Sequence, residues 1–231
     1  MPAEWKTAIA VPLFKKGAVD DPNCYRSISL LAPVAKFYEK IQANNMLEYF
    51  NNNNLFCSEQ HGFRSGYSCE TALQSILDHW KRLIDEKSII IAIFIDFTKA
   101  FDLVKQKLLL RKLFHYGFDN KALKLIENYF GDRSQITKVN NTLSDAMPIE
   151  LGVPQGSILG PLLFLIFIND MSLNSDFHTI LFADDTTLYD SDTELSVLYK
   201  KFNRKFQVIF EWVTLNQMSL NWSKTKIMFL T

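Results

Sequence analysis

The chain has 231 residues, of which 48% are apolar and 22% charged, and its 25 basic and 25 acidic side chains leave no net charge. That balance excludes a disordered segment and supplies enough apolar material for one large domain or two intimate subdomains. It also counts against a surface built broadly for phosphate, although Lys15–Lys16, Lys81–Arg82 and Lys200–Lys205 concentrate positive charge locally. The three cysteines, Cys24, Cys57 and Cys69, show no metal-ligand spacing and no even disulfide set, which points to a reduced, intracellular protein. Met1–Thr7 lacks the apolar core of a secretory signal. The longest apolar run, Ile158–Ile168, is about half of what a membrane span needs, so no membrane partner is expected.

In chain order, Ile9–Phe14 and Ser27–Leu31 read as short strands around the turn-prone Lys15–Asn23. Val34–Phe50 reads as a helix. Leu73, Ile76, Leu77, Trp80, Leu83 and Ile84 recur at helical spacing behind Ser68, a candidate N-cap. Ile89–Ile95 is wholly apolar and mostly β-branched, as a strand buried on both faces would be. Helices are predicted over Lys105–Tyr116 and Lys121–Phe130, either side of Gly117, then strands over Gln135–Asn140 and Ala146–Leu151 with a helix after Gly156. Thr179–Ala183 and Thr186–Tyr189 read as a hairpin with Asp184–Asp185 at its tip. Ser191 and Glu194 have capping-box spacing before a long helix facing inward through Leu195, Leu198, Phe202, Phe206, Ile209 and Val213, and Lys226–Leu230 closes as a strand. The fold class is therefore α+β.

Two groups of acids sit where charge is costly: Asp96 ends an apolar strand, and Asp184–Asp185 interrupts an apolar hairpin. Adjacent carboxylates repel unless a cation lies between them, and a divalent ion with oxygen ligands meets that need. If the Asp96 strand lay beside the hairpin, three carboxylates would converge on a pair of ions suited to phosphoryl transfer. Aspartates are equally ordinary as caps and turn formers, so spacing alone leaves both readings open.

The strings themselves are more specific. IAIFIDFTKAFD (91–102), GVPQGSILGPLLFLIFIND (152–170) and FADD (182–185) follow one another in the order of motifs A, B and C of reverse transcriptases, and are most similar to those of non-LTR (LINE-type) retrotransposons of the jockey and chicken-repeat group. WKTAIAVPLFKKG, YRSISLL, QHGFRSGYSCETAL and LNWSKTK extend the resemblance over nearly the whole chain.

The resemblance implies a right-hand polymerase: fingers over about residues 1–87 and a palm over about 88–231, with an antiparallel sheet packed on helices and the thumb absent. It implies RNA-directed DNA polymerisation, with an RNA template, a DNA primer, deoxynucleoside triphosphates and two Mg²⁺ ions, Mn²⁺ being an alternative. Asp96, Asp184 and Asp185 match the metal-binding triad, joined by the backbone carbonyl of Phe97. Phe101 matches the bulky residue that excludes a 2′-hydroxyl, and Gln155 and Gly156 match the turn beside the incoming nucleotide. Arg26, with Lys15 or Lys16, matches the triphosphate clamp of the fingers. Lys224 matches the lysine that protonates departing pyrophosphate, and Arg64 is a candidate for the template backbone.

Ser27 stands where the family usually has proline, which loosens that turn. Two other readings are a catalytically inactive, truncated relic that at most binds nucleic acid, and an RNA-copying RNA polymerase. Ala183, where Gly-Asp-Asp would be usual, and Phe101 both argue against the latter. Residence in nucleus or cytoplasm follows only from family habit.

Overall fold

The computed structural model describes residues 1–231. In chain order its elements are β1 (Thr7–Phe14), β2 (Tyr25–Leu30), α1 (Pro33–Asn52), α2 (Cys69–Asp85), β3 (Ile89–Ile95), α3 (Gln106–His115) and α4 (Asn120–Phe130). There follow β4 (Ser134–Val139), β5 (Thr142–Leu143), β6 (Met147–Pro148), α5 (Leu159–Ile168), β7 (His178–Phe182), β8 (Asp185–Asp192), α6 (Leu195–Leu215) and β9 (Lys226–Leu230). No helix is long and apolar enough to cross a membrane.

The elements assemble into two compact units, each drawn from two stretches of chain. The first comprises Met1–Asn53 and Phe101–Phe164. Its sheet runs in the order β2-β1-β4-β5, with β6 also on β4; β1 pairs antiparallel with β2 and parallel with β4. α1 buries Ala35, Ala43, Met46 and Phe50 at helical spacing, and Phe50 meets the rings of Tyr116 and Phe118 in the α3–α4 connection. That connection turns at Gly117 (φ +92°), where a Cβ would lie 2.6 Å from the Tyr49 hydroxyl.

The second unit comprises Asn54–Ala100 and Leu165–Thr231. Its sheet is antiparallel throughout, in the order β7-β8-β3-β9, so β3 is central. Helices cover both faces, which explains why β3 is an unbroken apolar run rather than an alternating one. On one face Ile76 and Trp80 of α2 pack against Ile90, Ala92 and Tyr189. Ile91 and Asp190 pair across the opposite face, and Lys201 and Lys205 of α6 reach Asp190 there. Ile90, Ile91, Ile93 and Ile95 are at most 2% exposed, and each such side chain stabilises the sheet by about 2 kcal/mol.

Four local expectations change. The hairpin tip is Ala183–Asp184, because Phe182 pairs with Asp185 and makes it the first residue of β8. Ser191 does not cap α6: it belongs to β8, the N-cap is Glu194 without a side-chain cap, and Asp192 accepts the Glu194 N–H instead. The strand expected over Ala146–Leu151 shrinks to Met147–Pro148, since the polar connection itself folds back as β5. α5 begins only at Leu159, after Ser157 Oγ has taken the Gly160 N–H.

Candidate active site

Asp96, Asp184 and Asp185 all lie at one end of the second unit's sheet. β3 and β8 remain paired up to Ile95 opposite Thr186. Asp96 directly follows Ile95 and Asp185 directly precedes Thr186, so the two acids flank the last pair of this ladder. Asp184 adjoins them in the two-residue loop, half-buried, while Asp185 is exposed. Ala183 carries a positive φ of +56° to close that loop, a conformation that costs a non-glycine residue of order 1 kcal/mol.

Asp96 is fixed by the segment that follows α6. Its carbonyl accepts from Asn221 N–H (2.8 Å), its N–H reaches Thr225 Oγ1 (3.4 Å), and Lys224 Nζ lies 3.8 Å from Oδ2. Phe97 is buried and bridges Leu220, with Thr98 N–H bonded to Ser219 carbonyl. Because an extended chain alternates its polar groups, these bonds on residues 96 and 98 direct the Phe97 carbonyl to the opposite edge, the side of β8.

The side chains are not drawn into a cluster: no three His, Cys, Asp or Glu residues anywhere in the chain come close enough to hold an ion together. Like charges placed opposite one another repel. The donor set is nevertheless the right one for Mg²⁺ or Mn²⁺, all oxygen and open to solvent at Asp185. The Lys224 ammonium beside Asp96 shows that this corner accepts positive charge.

The remaining expected residues lie in the first unit, apart from Arg64. Phe101 is half-buried and stacks on Phe164 with ring centroids 4.3 Å apart, and its carbonyl accepts from Val153 N–H. Gly152 N–H bonds the Val104 carbonyl, so the 101–106 turn and the 152–156 turn are zipped together. Gln155 Nε2 donates to Asp102 Oδ1 at 2.7 Å, a partner whose role no sequence signal marked. Gly156 (φ +111°) lies so close to Ser29 that a Cβ would stand 2.5 Å from its carbonyl oxygen. Glu39, fully buried in α1, accepts from Ile158 N–H (2.7 Å) at the entry to α5. Burial pushes the Glu39 carboxyl up from its ordinary pKa, against the lowering pull of the Ile158 and Leu159 N–H groups.

Lys15, Lys16 and Arg26 are exposed around the tip of the β1–β2 hairpin. Leu13 pairs with Arg26, and Lys15 N–H continues the ladder to Cys24. Side chains alternate along a strand, so Lys15, two residues beyond Leu13 on the continuing ladder, shares the Arg26 face, while Lys16 lies in the bend that follows. Arg64 is committed to its own loop. Its Nη1 donates to the Cys57 carbonyl (2.8 Å) and its guanidinium lies 4.4 Å from the Tyr67 ring centroid.

With this geometry, the fold is similar to solved telomerase structures. One, from Candida tropicalis in complex with a TWJ fragment of telomeric RNA, has a TM-score of 0.70 at 13% identity, covering 99% of this chain and 42% of that one. Residues 14–230 match the model of the family described as reverse transcriptase (RNA-dependent DNA polymerase), and the chain belongs to that family. Such enzymes use divalent metal ions. Among curated relatives, a probable RNA-directed DNA polymerase from transposon BS of Drosophila melanogaster is 31% identical over 186 residues, covering 77% of this chain and 20% of that protein. The RNA-directed DNA polymerase from mobile element jockey of the same fly is 28% identical, covering 81% and 21%. The chain thus spans about a fifth of the length of these relatives.

Proposed function

We propose that this chain forms the fingers (about 1–87) and palm (about 88–231) of a retrotransposon RNA-directed DNA polymerase, which extends a DNA primer along an RNA template with deoxynucleoside triphosphates. The observation that supports the reading is the β3–β8 register, in which Asp96 directly follows Ile95 and Asp185 directly precedes its partner Thr186, next to the Ala183–Asp184 loop. Asp96, Asp184, Asp185 and the Phe97 carbonyl would hold two Mg²⁺ ions. Bound there, the ions would lower the pKa of the primer 3′-hydroxyl and neutralise charge on the phosphates.

The chain's own groups do the rest. Lys15 and Arg26, on one face of the hairpin, grip the triphosphate, Arg26 through its planar fork and Lys15 as a point charge. The Phe101 ring, braced by Phe164, sits under the sugar and excludes a 2′-hydroxyl. Gln155, oriented by Asp102, and the bare backbone of Gly156 flank the nucleotide. Lys224 is poised to give a proton to the leaving pyrophosphate. Arg64 braces its loop, and any template phosphate would use only its remaining donors. Catalysis of this kind rests on positioning and on electrostatic stabilisation rather than on a covalent step.

The test is Mg²⁺-dependent extension of a DNA primer on an RNA template, with Asp184→Asn as control. Extension by the parent chain and none by the variant supports the reading. A folded parent chain that binds template–primer without extending it would instead favour the inactive relic.

A further inference from the structure

The Ala183–Asp184 loop is held from outside its own hairpin. Residues 59–62 run beside β7 as a short parallel rib: Leu181 N–H bonds the Glu59 carbonyl (2.9 Å) and His61 N–H bonds the Leu181 carbonyl (2.7 Å). From this rib the Gln60 side chain, 2% exposed, turns into the loop. Its Oε1 accepts from Ala183 N–H (3.0 Å) and from Gly62 N–H (2.8 Å). Both partners are donors, so the amide oxygen and not the nitrogen must face them. Gly62 packs against the same loop, where a Cβ would come within 2.3 Å of the Ala183 nitrogen.

Ala183 is the one residue of the hairpin with a positive φ, and it immediately precedes the paired aspartates. A non-glycine residue persists in that conformation only where its surroundings enforce it. We propose that Gln60 is a positioning residue for the catalytic acids: its carbonyl oxygen pins the Ala183 amide and so sets the direction in which Asp184 and Asp185 present their carboxylates. The inference rests on the polymerase reading for its consequence, though the pin itself does not. Groups that orient metal-binding residues without touching the metal commonly contribute 10- to 100-fold to affinity or activity. Gln60 Nε2 has no hydrogen-bond partner, so only the acceptor function is engaged.

The test compares the full chain with Gln60→Leu, Gln60→Glu and Gly62→Ala by amide hydrogen exchange and by Mn²⁺ titration calorimetry. Gln60→Leu should speed exchange at Ala183 at least ~10-fold while the amides of β3 stay protected, and weaken Mn²⁺ binding about 10- to 100-fold. Gln60→Glu, which retains an oxygen acceptor, should recover most of both. Should Gln60→Leu fail to fold, Gly62→Ala, which forces the rib away from the loop, should weaken Mn²⁺ binding in its place. Unchanged Ala183 exchange in Gln60→Leu overturns the pin, and faster exchange with unaltered Mn²⁺ affinity overturns its role. A parent chain that binds no Mn²⁺ removes the polymerase reading and the positioning role with it, while the exchange data still decide the pin.

Discussion

β8 carries an acid near each end, and the sheet treats the two in opposite ways. Asp185, its first residue, is exposed and follows Asp184 in the turn, while Asp96, just past the end of the neighbouring strand, has Lys224 3.8 Å from its carboxylate. Asp190, five residues on, is 3% exposed and ion-paired to Lys201 at 2.8 Å and Lys205 at 2.7 Å, with Ser191 N–H on its Oδ1. At the far end, the protein supplies its own counter-charge and closes the site. At the turn it sets two aspartates side by side in sequence, with Asp185 open to solvent. A buried acid is thus not by itself the mark of a functional one.

The largest effect expected from breaking this contrast is at the turn. Asp184→Asn keeps the size and polarity of the side chain while removing a charge that the ions need. Primer extension should fall by roughly 10³-fold or more. A loss of under tenfold would show that the acids at the turn are structural.

At the other end the expectation reverses. Asp190→Ala leaves the Lys205 ammonium, whose side chain is only 10% exposed, without a carboxylate and with the Asp176 carbonyl as its acceptor. Removing one partner of such a buried pair destabilises by roughly 3 kcal/mol, read as a fall in the urea midpoint, and the Mg²⁺ requirement of whatever folds should not alter. Acid sharpens the same point. Burial alone would raise the Asp190 pKa, but the Lys201 and Lys205 contacts and the Ser191 N–H outweigh it and hold the carboxyl below its ordinary value. Its stabilisation is therefore complete above the unfolded carboxylate pKa of about 3.9 and is lost as pH falls through the lower folded value. Melting curves from neutral pH down to about pH 2.5 should steepen below about pH 4 in the parent chain. The Asp190→Asn variant should show a shallower decline; identical profiles would remove Asp190 from the account.

Much of this was legible from the chain. Apolar runs and helical spacing located nearly every strand and helix, and the acids at positions 96, 184 and 185 stood out because charge interrupts apolar strands there. What escaped depends on long-range pairing. Phe182 opposite Asp185 moved the loop by one residue, and only the register of β1 on β2 separated Lys15 from Lys16. Gln60 opens the QHGFR string, but its role left no trace, because an amide that accepts two backbone N–H groups has no periodicity and one of its partners lies 123 residues away. The contacts of the Arg64 guanidinium with Tyr67 and the Cys57 carbonyl were likewise invisible in a loop sequence.

The smallest predicted effect tests the same lesson at the closed end of β8. Ser68 and Ser191 present the same signal, a serine three residues before a polar partner at a helix start. Ser68 Oγ accepts from Thr71 N–H at 3.2 Å and Thr71 Oγ1 accepts from Ser68 N–H at 2.9 Å, a reciprocal box. Ser191 is held as strand instead: its N–H serves Asp190, its carbonyl accepts from Lys201, and the helix begins four residues later. Ser68→Ala should therefore cost about 1 kcal/mol in chemical denaturation. Ser191→Ala should stay within roughly 0.5 kcal/mol of the parent. Equal losses would mean that Ser191 does cap α6, and that the quiet end of β8 is ordered by its helix rather than by the ion pairs on Asp190.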